Sequence, residues 1–132
     1  MAKRFLSDTW FDEAQKISDS FGKIDLPEKL VGFILNLTVT GGPEGDKEIH
    51  FTGGRFAKGH HNNANTLLTL PYDICYKALL CNDTKVAMKG FLTRKIRVKG
   101  SMTEMLTLAS IKAEGDLDAL RVKTLEMTEP VD

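Results

Sequence analysis

The sequence predicts an α+β domain: a five-stranded, mostly antiparallel sheet with its helices gathered on one face. Three observations predict it. Residues 31–40 alternate strictly, with Val31, Phe33, Leu35, Leu37 and Val39 on one side and Asn36, Thr38 and Thr40 on the other. That is the period of a strand buried on one face. Residues 47–52 and 55–60 flank Gly53-Gly54, a two-residue connection of the favoured hairpin kind. Trp10, Ala14, Ile17 and Phe21 recur at spacings of four, three and four, which is the stripe of a helix that covers a sheet.

Composition sets the bounds. A chain of 132 residues with 42% apolar and 27% charged residues reads as a single globular domain, 1–132, rather than a disordered chain. Lysine plus arginine equals aspartate plus glutamate at 18 each. A general nucleic-acid binder would be basic overall, so no nucleic-acid partner is expected. The residues after Met1–Arg4 are too polar for a signal-peptide core, and no run approaches a membrane span. Cys75 and Cys81 sit six positions apart in a helical segment and point to different sides, so they read as reduced, slow-reacting thiols in a cytoplasmic protein.

Ser7 or Asp8 caps the first helix. Its other side carries Asp12, Glu13, Gln15, Lys16 and Asp19, whereas a membrane-lying helix wants a basic polar face. It therefore reads as a packing helix. Asp25-Leu26-Pro27 is a connector, and residues 41–46 form a loop. If Gly53-Gly54 is the turn, Thr52 pairs with Arg55, Phe51 with Phe56 and His50 with Ala57. Ile49, Phe51 and Phe56 then share the core side. By the same register His60 pairs with Lys47, on the face opposite His50, so the two histidines do not converge on a metal unless a bulge intervenes.

Residues 64–70 read as the fourth strand and 94–99 as the fifth. Pro71 suits a first helical position, Asp73 suits the positive end of that helix, and Ile74, Cys75, Ala78 and Leu79 form its inner stripe. Asn82-Asp83 ends it, and Asp83 or Thr84 caps the next helix, which runs to Gly90. In the fifth strand Ile96 and Val98 face inward, and Lys95, Arg97 and Lys99 lie together on the other face. Ser101 or Thr103 caps a helix striped by Met102, Met105, Leu106 and Ala109. Gly115 breaks it, a last helix covers 117–127 and residues 129–132 read as a frayed end.

The ordered set from Ala64 to Gly100 resembles the sterol carrier protein 2 family of lipid-binding domains. There a strand of the form A-D-V-T-L-T-L precedes a helix, a D-P-x-x-A-F-M-x-G segment and a K-L-K-V-x-G strand. The matching residues are Ala64, Thr66, Leu68, Thr69 and Leu70; then Asp83, Ala87, Met88 and Gly90; then Ile96, Val98, Lys99 and Gly100. Asn65 stands where Asp is usual and Thr84 where Pro is common. Extra residues lie around Phe91-Leu92-Thr93. The opening RFLSDTWFDEAQKI also resembles the start of small bacterial single-domain members. The resemblance implies an apolar tunnel between sheet and helices.

Such a tunnel would hold a long-chain lipid without covalent chemistry: a fatty acid, fatty acyl-CoA, phospholipid or sterol-like molecule. The expected lining is Phe33, Leu35 and Leu37 from the long strand; Ile74, Ala78 and Leu79 from the helix after Pro71; and Met88, Met102, Met105 and Leu106 from later helices. No buried arginine or lysine stands out as an anchor, so the tunnel is expected to tolerate different headgroups. No G-x-S-x-G elbow, phosphate-cradling glycine loop or metal-ligand cluster occurs. Neither catalysis nor a cofactor is expected. The alternatives are an enzyme acting on an apolar substrate in a cone-shaped α+β cavity and a dimerisation module with a closed cavity; the chain is read as monomer or homodimer. The basic face at Lys95, Arg97 and Lys99 is expected to meet anionic membrane surfaces transiently. Met105→Trp tests the lining: in a tunnel it lowers lipid affinity and keeps thermal stability, whereas in a filled core it costs about 1–3 kcal/mol by denaturant titration.

Overall fold

Strand β1, Ile34–Gly42, lies at the centre of the sheet in the computed structural model, which describes residues 2–22, 28, 31–53, 55–103 and 115–131. Around it in chain order are α1 (Asp8–Phe21), β2 (Gly45–Thr52), β3 (Arg55–Lys58), β4 (Leu67–Pro71), α2 (Tyr72–Cys75), α3 (Thr84–Leu92), β5 (Arg97–Lys99) and α4 (Gly115–Glu126). Helix α2 continues as a π-helix over Tyr76–Leu80. The strand order is β3-β2-β1-β4-β5. Three pairings are antiparallel, as the sequence suggested, but β1 and β4 run parallel.

Alternation along β1 decides the layers. Leu35, Leu37 and Val39 are at most 1% exposed, while Ile34, Asn36, Thr38 and Thr40 are half-buried on the outer face. The strand starts later than expected. Gly32 has φ +74°, which only glycine adopts freely, and this breaks the alternation. Phe33 is buried, but Val31 stands 68% exposed. The β2–β3 hairpin has the expected register, Thr52 with Arg55, Phe51 with Phe56 and His50 with Ala57. Ile49 is buried, and the Phe51 and Phe56 rings meet at 5.1 Å on the core side.

The expectation for His60 is corrected. β3 stops at Lys58, and Gly59, at φ +84°, turns the chain onto the outer face. His60 Nε2 lies 3.2 Å from the Leu37 carbonyl and 3.3 Å from Thr38 Oγ1, with Nδ1 3.4 Å from Glu48. His60 therefore shares the face of His50. The following residues cross β2 and β1 to reach β4. Asn36 holds that crossing: its Nδ2 donates to the His61 carbonyl at 3.1 Å, and its Oδ1 accepts from the His61 N–H at 2.7 Å.

The termini are joined. Lys3 N–H donates to the Met127 carbonyl at 2.6 Å, and Glu129 N–H donates to the Lys3 carbonyl at 2.7 Å. Glu129 is thus bonded rather than frayed. Ser7 caps α1 by accepting from the Trp10 N–H at 3.2 Å. The Trp10 ring is fully buried against Phe5 and Phe11, with centroids 5.2 and 5.0 Å away. Its indole N–H donates to Thr128 Oγ1 at 2.8 Å. Buried indoles need such a partner. Thr128→Val keeps the shape and orphans this donor, so it is expected to cost about 1–3 kcal/mol in denaturant titrations. In a Trp10→Phe background the same change should cost much less.

Candidate functional site

A cleft of about 60 Å³ opens where α1, β3, the π-helix and α4 meet. Each element contributes one face. From α1 come Trp10, Ala14 and Ser18, one turn apart, with Gln15 at the rim. The small side chains at 14 and 18 leave the space. From β3 come Phe56 and Arg55, and from the π-helix Leu79 and Leu80. Helix α4 supplies Leu117, Leu120, Arg121 and Thr124, the i, i+3, i+4, i+7 set of a single helical face.

The walls are largely apolar, and the cleft also holds two arginines, each paired with an aspartate. Arg121 donates through Nη1 to the Leu80 carbonyl at 2.7 Å, and through Nε and Nη2 to Asp118 Oδ1 at 3.1 and 2.9 Å. It thereby satisfies the carbonyl of the last π-helical residue. Arg55 Nη1 lies 3.4 Å from Asp19 Oδ1. Its side chain is 37% exposed and that of Arg121 22%. Both guanidiniums keep donors directed at neither aspartate. The arrangement can therefore solvate an anionic group at the rim while apolar matter sits against Phe56, Leu79 and Leu120.

The structure places the residues expected to line a tunnel as follows. Phe33, Leu35, Leu37 and Ile74 are in the packed core, 9%, 1%, 0% and 7% exposed. Ala78 and Leu79 are half-buried, and of the expected set Leu79 lines the cleft. Met88 and Met102 are exposed, at 62% and 56%. For Met88 the reason is helical phase: Val86, Ala87, Gly90 and Phe91 take the inner face of α3, so position 88 points outward. Met105 and Leu106 lie outside the described residues. Sequence reasoning missed Arg55, Phe56, Leu117, Leu120 and Arg121. The α4 spacing was present, but an arginine inside the stripe hid its period.

Four other polar side chains singled out by the sequence are placed as follows. Cys75 is fully buried in the core, and burial pushes its thiol far above the ordinary range. His50 sits on the outer face of the sheet, its Nδ1 2.9 Å from the Gly59 carbonyl and its ring 5.3 Å from that of His61. The Tyr72 hydroxyl donates to the Phe5 carbonyl at 2.7 Å, and burial pushes this phenol up to about 12. Asp73 is exposed in the first turn of α2. Among the described residues no cluster could hold a metal ion, and no helix is long and apolar enough to cross a membrane.

Five strands in a mixed sheet, with helices packed on one face and a cleft between helix and sheet, make an α+β domain. Solved structures share this fold. The crystal structure of sterol carrier protein 2 like 2 from Aedes aegypti superposes with a TM-score of 0.57 at 14% identity, over 79% of this chain and 97% of that one. A solution structure of the palmitated form of that mosquito protein gives 0.52 at 16% identity, over 79% and 92%. Sterol carrier protein 2 from Yarrowia lipolytica, in its apo form, gives 0.51 at 17% identity, over 83% and 91%. No family model and no curated protein matches the sequence. The chain has a sterol carrier protein 2-like fold.

The two thiols are distinguished by position. Both are free, Cys75 buried and Cys81 exposed, so slow reaction is now expected of Cys75 and faster reaction of Cys81. Titration with an aromatic disulfide reagent should modify Cys81 rapidly in the native protein and Cys75 only on unfolding. Rapid modification of both would contradict the packing described.

Proposed function

We propose that this domain binds a long-chain anionic lipid non-covalently and carries it, without catalysis. One observation carries the reading: in a sterol carrier protein 2-like fold, an apolar cleft has two arginines at its rim. The apolar walls suit the hydrocarbon, and Arg55 and Arg121 suit a carboxylate, for which planar guanidiniums are the matched donors. The sequence alone led to the expectation of an anchorless, headgroup-tolerant tunnel; the present reading adds an anchor. The candidate ligands narrow from fatty acids, acyl-CoAs, phospholipids and sterol-like molecules to single-chain carboxylates, with fatty acids first. The palmitated mosquito structure supports that choice by analogy of fold.

The cleft volume equals about two waters' share of liquid. It takes the headgroup end, and the chain enters as α4 parts from α1 and the π-helix. At about 0.8 kcal/mol per methylene, some fifteen methylenes supply on the order of 12 kcal/mol gross. Ligand ordering and helix displacement offset part of it, which leaves micromolar to nanomolar affinity. The free thiol pair suits a reducing compartment such as the cytoplasm.

Organic extraction of the purified protein followed by mass spectrometry, with a binding panel of fatty acids, fatty alcohols and acyl-CoAs, tests the reading. Wild type should carry or take up fatty acid. Arg55→Gln with Arg121→Gln should weaken carboxylate binding at least about tenfold, from the loss of charge-assisted hydrogen bonds, and leave the alcohol little changed. A wild type that carries no lipid and binds none of the panel would end the carrier reading.

A further inference from the structure

Helix α3 is amphipathic in an unusual sense. Its inner face, Val86, Ala87, Gly90 and Phe91, packs on the domain, with Gly90 buried over Ile96. Its outer face is Lys85, Met88, Lys89 and Leu92, at i, i+3, i+4 and i+7. All four are exposed, Met88 by 62% and Leu92 by 78%. The turn that follows adds exposed Arg94 and Lys95. An apolar pair on a free helix face, framed by cations, is not what a solvated surface needs.

The charges around it are one-sided. From Thr84 to Gly100 there are six basic residues and no acidic one, in a chain whose acidic and basic residues balance at 18 each. The cations of β3 are neutralised locally, Arg55 by Asp19 and Lys58 by Asp8, both at 3.4 Å. Among the described residues none of the six in 84–100 forms an ion pair. The acidic residue at the start of α3, Asp83, has its side chain engaged by the Lys85 and Val86 N–H groups, both at 3.1 Å.

We infer that the outer face of α3 is a docking surface for an anionic lipid bilayer, with Met88 and Leu92 entering the interface and Lys85, Lys89, Arg94 and Lys95 meeting lipid phosphates. Flexible aliphatic side chains flanked by lysines are the composition of interfacial helices. Lysine is depleted in protein–protein interfaces, and this face presents no exposed aromatic ring on which bases could stack. A convex helix face also fits a yielding flat surface better than a rigid groove. The inference stands apart from the cleft, which lies against α1 and α4.

Flotation with equimolar phosphatidylcholine/phosphatidylglycerol vesicles, against pure phosphatidylcholine, tests it. Wild type should bind the mixed vesicles and not the neutral ones, and should be weakened by salt. Lys85→Gln with Lys89→Gln should lower binding about twenty-fivefold, about fivefold for each charge. Met88→Ser with Leu92→Ser should lower it about tenfold or more, including at high salt, where only the apolar contribution persists. All four positions are exposed, so melting temperature and fatty-acid uptake should stay at wild-type values, which separates docking from cleft binding. The inference is overturned if wild type ignores the mixed vesicles, if the serine pair binds like wild type, or if the face instead proves to join two copies in solution without vesicle binding.

Discussion

The side-chain amide of Asn36 is the contact on which the topology turns. The chain leaves β3 at one edge of the sheet and must pass β2 and β1 to pair with the far side of β1. A peptide crossing a sheet face has no ladder to satisfy its N–H and C=O groups. Asn36 supplies a substitute, accepting from the His61 N–H and donating to the His61 carbonyl as a neighbouring strand would. His60 and His50 add ring contacts to the backbone carbonyls of Leu37 and Gly59. The crossing delivers the chain so that Asn36 N–H meets the Thr66 carbonyl, and the parallel register of Asn36 with Leu67 follows. The histidines are explained by this work, which needs no metal.

Local pattern was legible where one rule acted alone. The inward run Leu35, Leu37 and Val39, the hairpin register through Gly53, and the Ser7 and Asp83 caps each follow from alternation, turn type or a side-chain oxygen. What was not legible depended on partners distant in sequence. Nothing near Leu67 shows that β4 pairs parallel to β1, because the parallel choice is made by the crossing over Asn36. Glu129 looked free because its partner, Lys3, lies at the other end of the chain. Alternation itself failed where glycine intervened. Positive φ at Gly32 and Gly59 turned Val31 and His60 away from the faces that counting assigned them.

The site was less legible than the fold, for a related reason. The most apolar candidates, Leu35, Leu37 and Ile74, are the ones the core consumes. Close-packed interiors leave no room beside such residues. Space arises instead where side chains are small or mixed: Ala14 and Ser18 on α1, and a stripe on α4 interrupted by Arg121. Residues that line a cleft between layers need one wet end, and that lowers their apolar signal in a sequence. Hydrophobicity alone therefore points to the core and away from the cleft.

Charge placement ties the two ends of the domain together. α1 is acidic on its outer side, and two of its aspartates pair with cations of β3. Exposed pairs of this kind contribute little stability, but they neutralise that side and hold Arg55 at the rim of the cleft. The segment from α3 to β5 has no such partners among the described residues and keeps its positive field. A neutral chain thus carries a polarised surface, and polarity of this kind orients a molecule before contact. The exposed Met88 and Leu92 lie inside the positive region rather than the neutralised one. Had they served only to fill a surface, no relation to the charges would be needed. Helical phase explains their exposure, and their place among lysines without ion pairs among the described residues is the ground for the docking face proposed above.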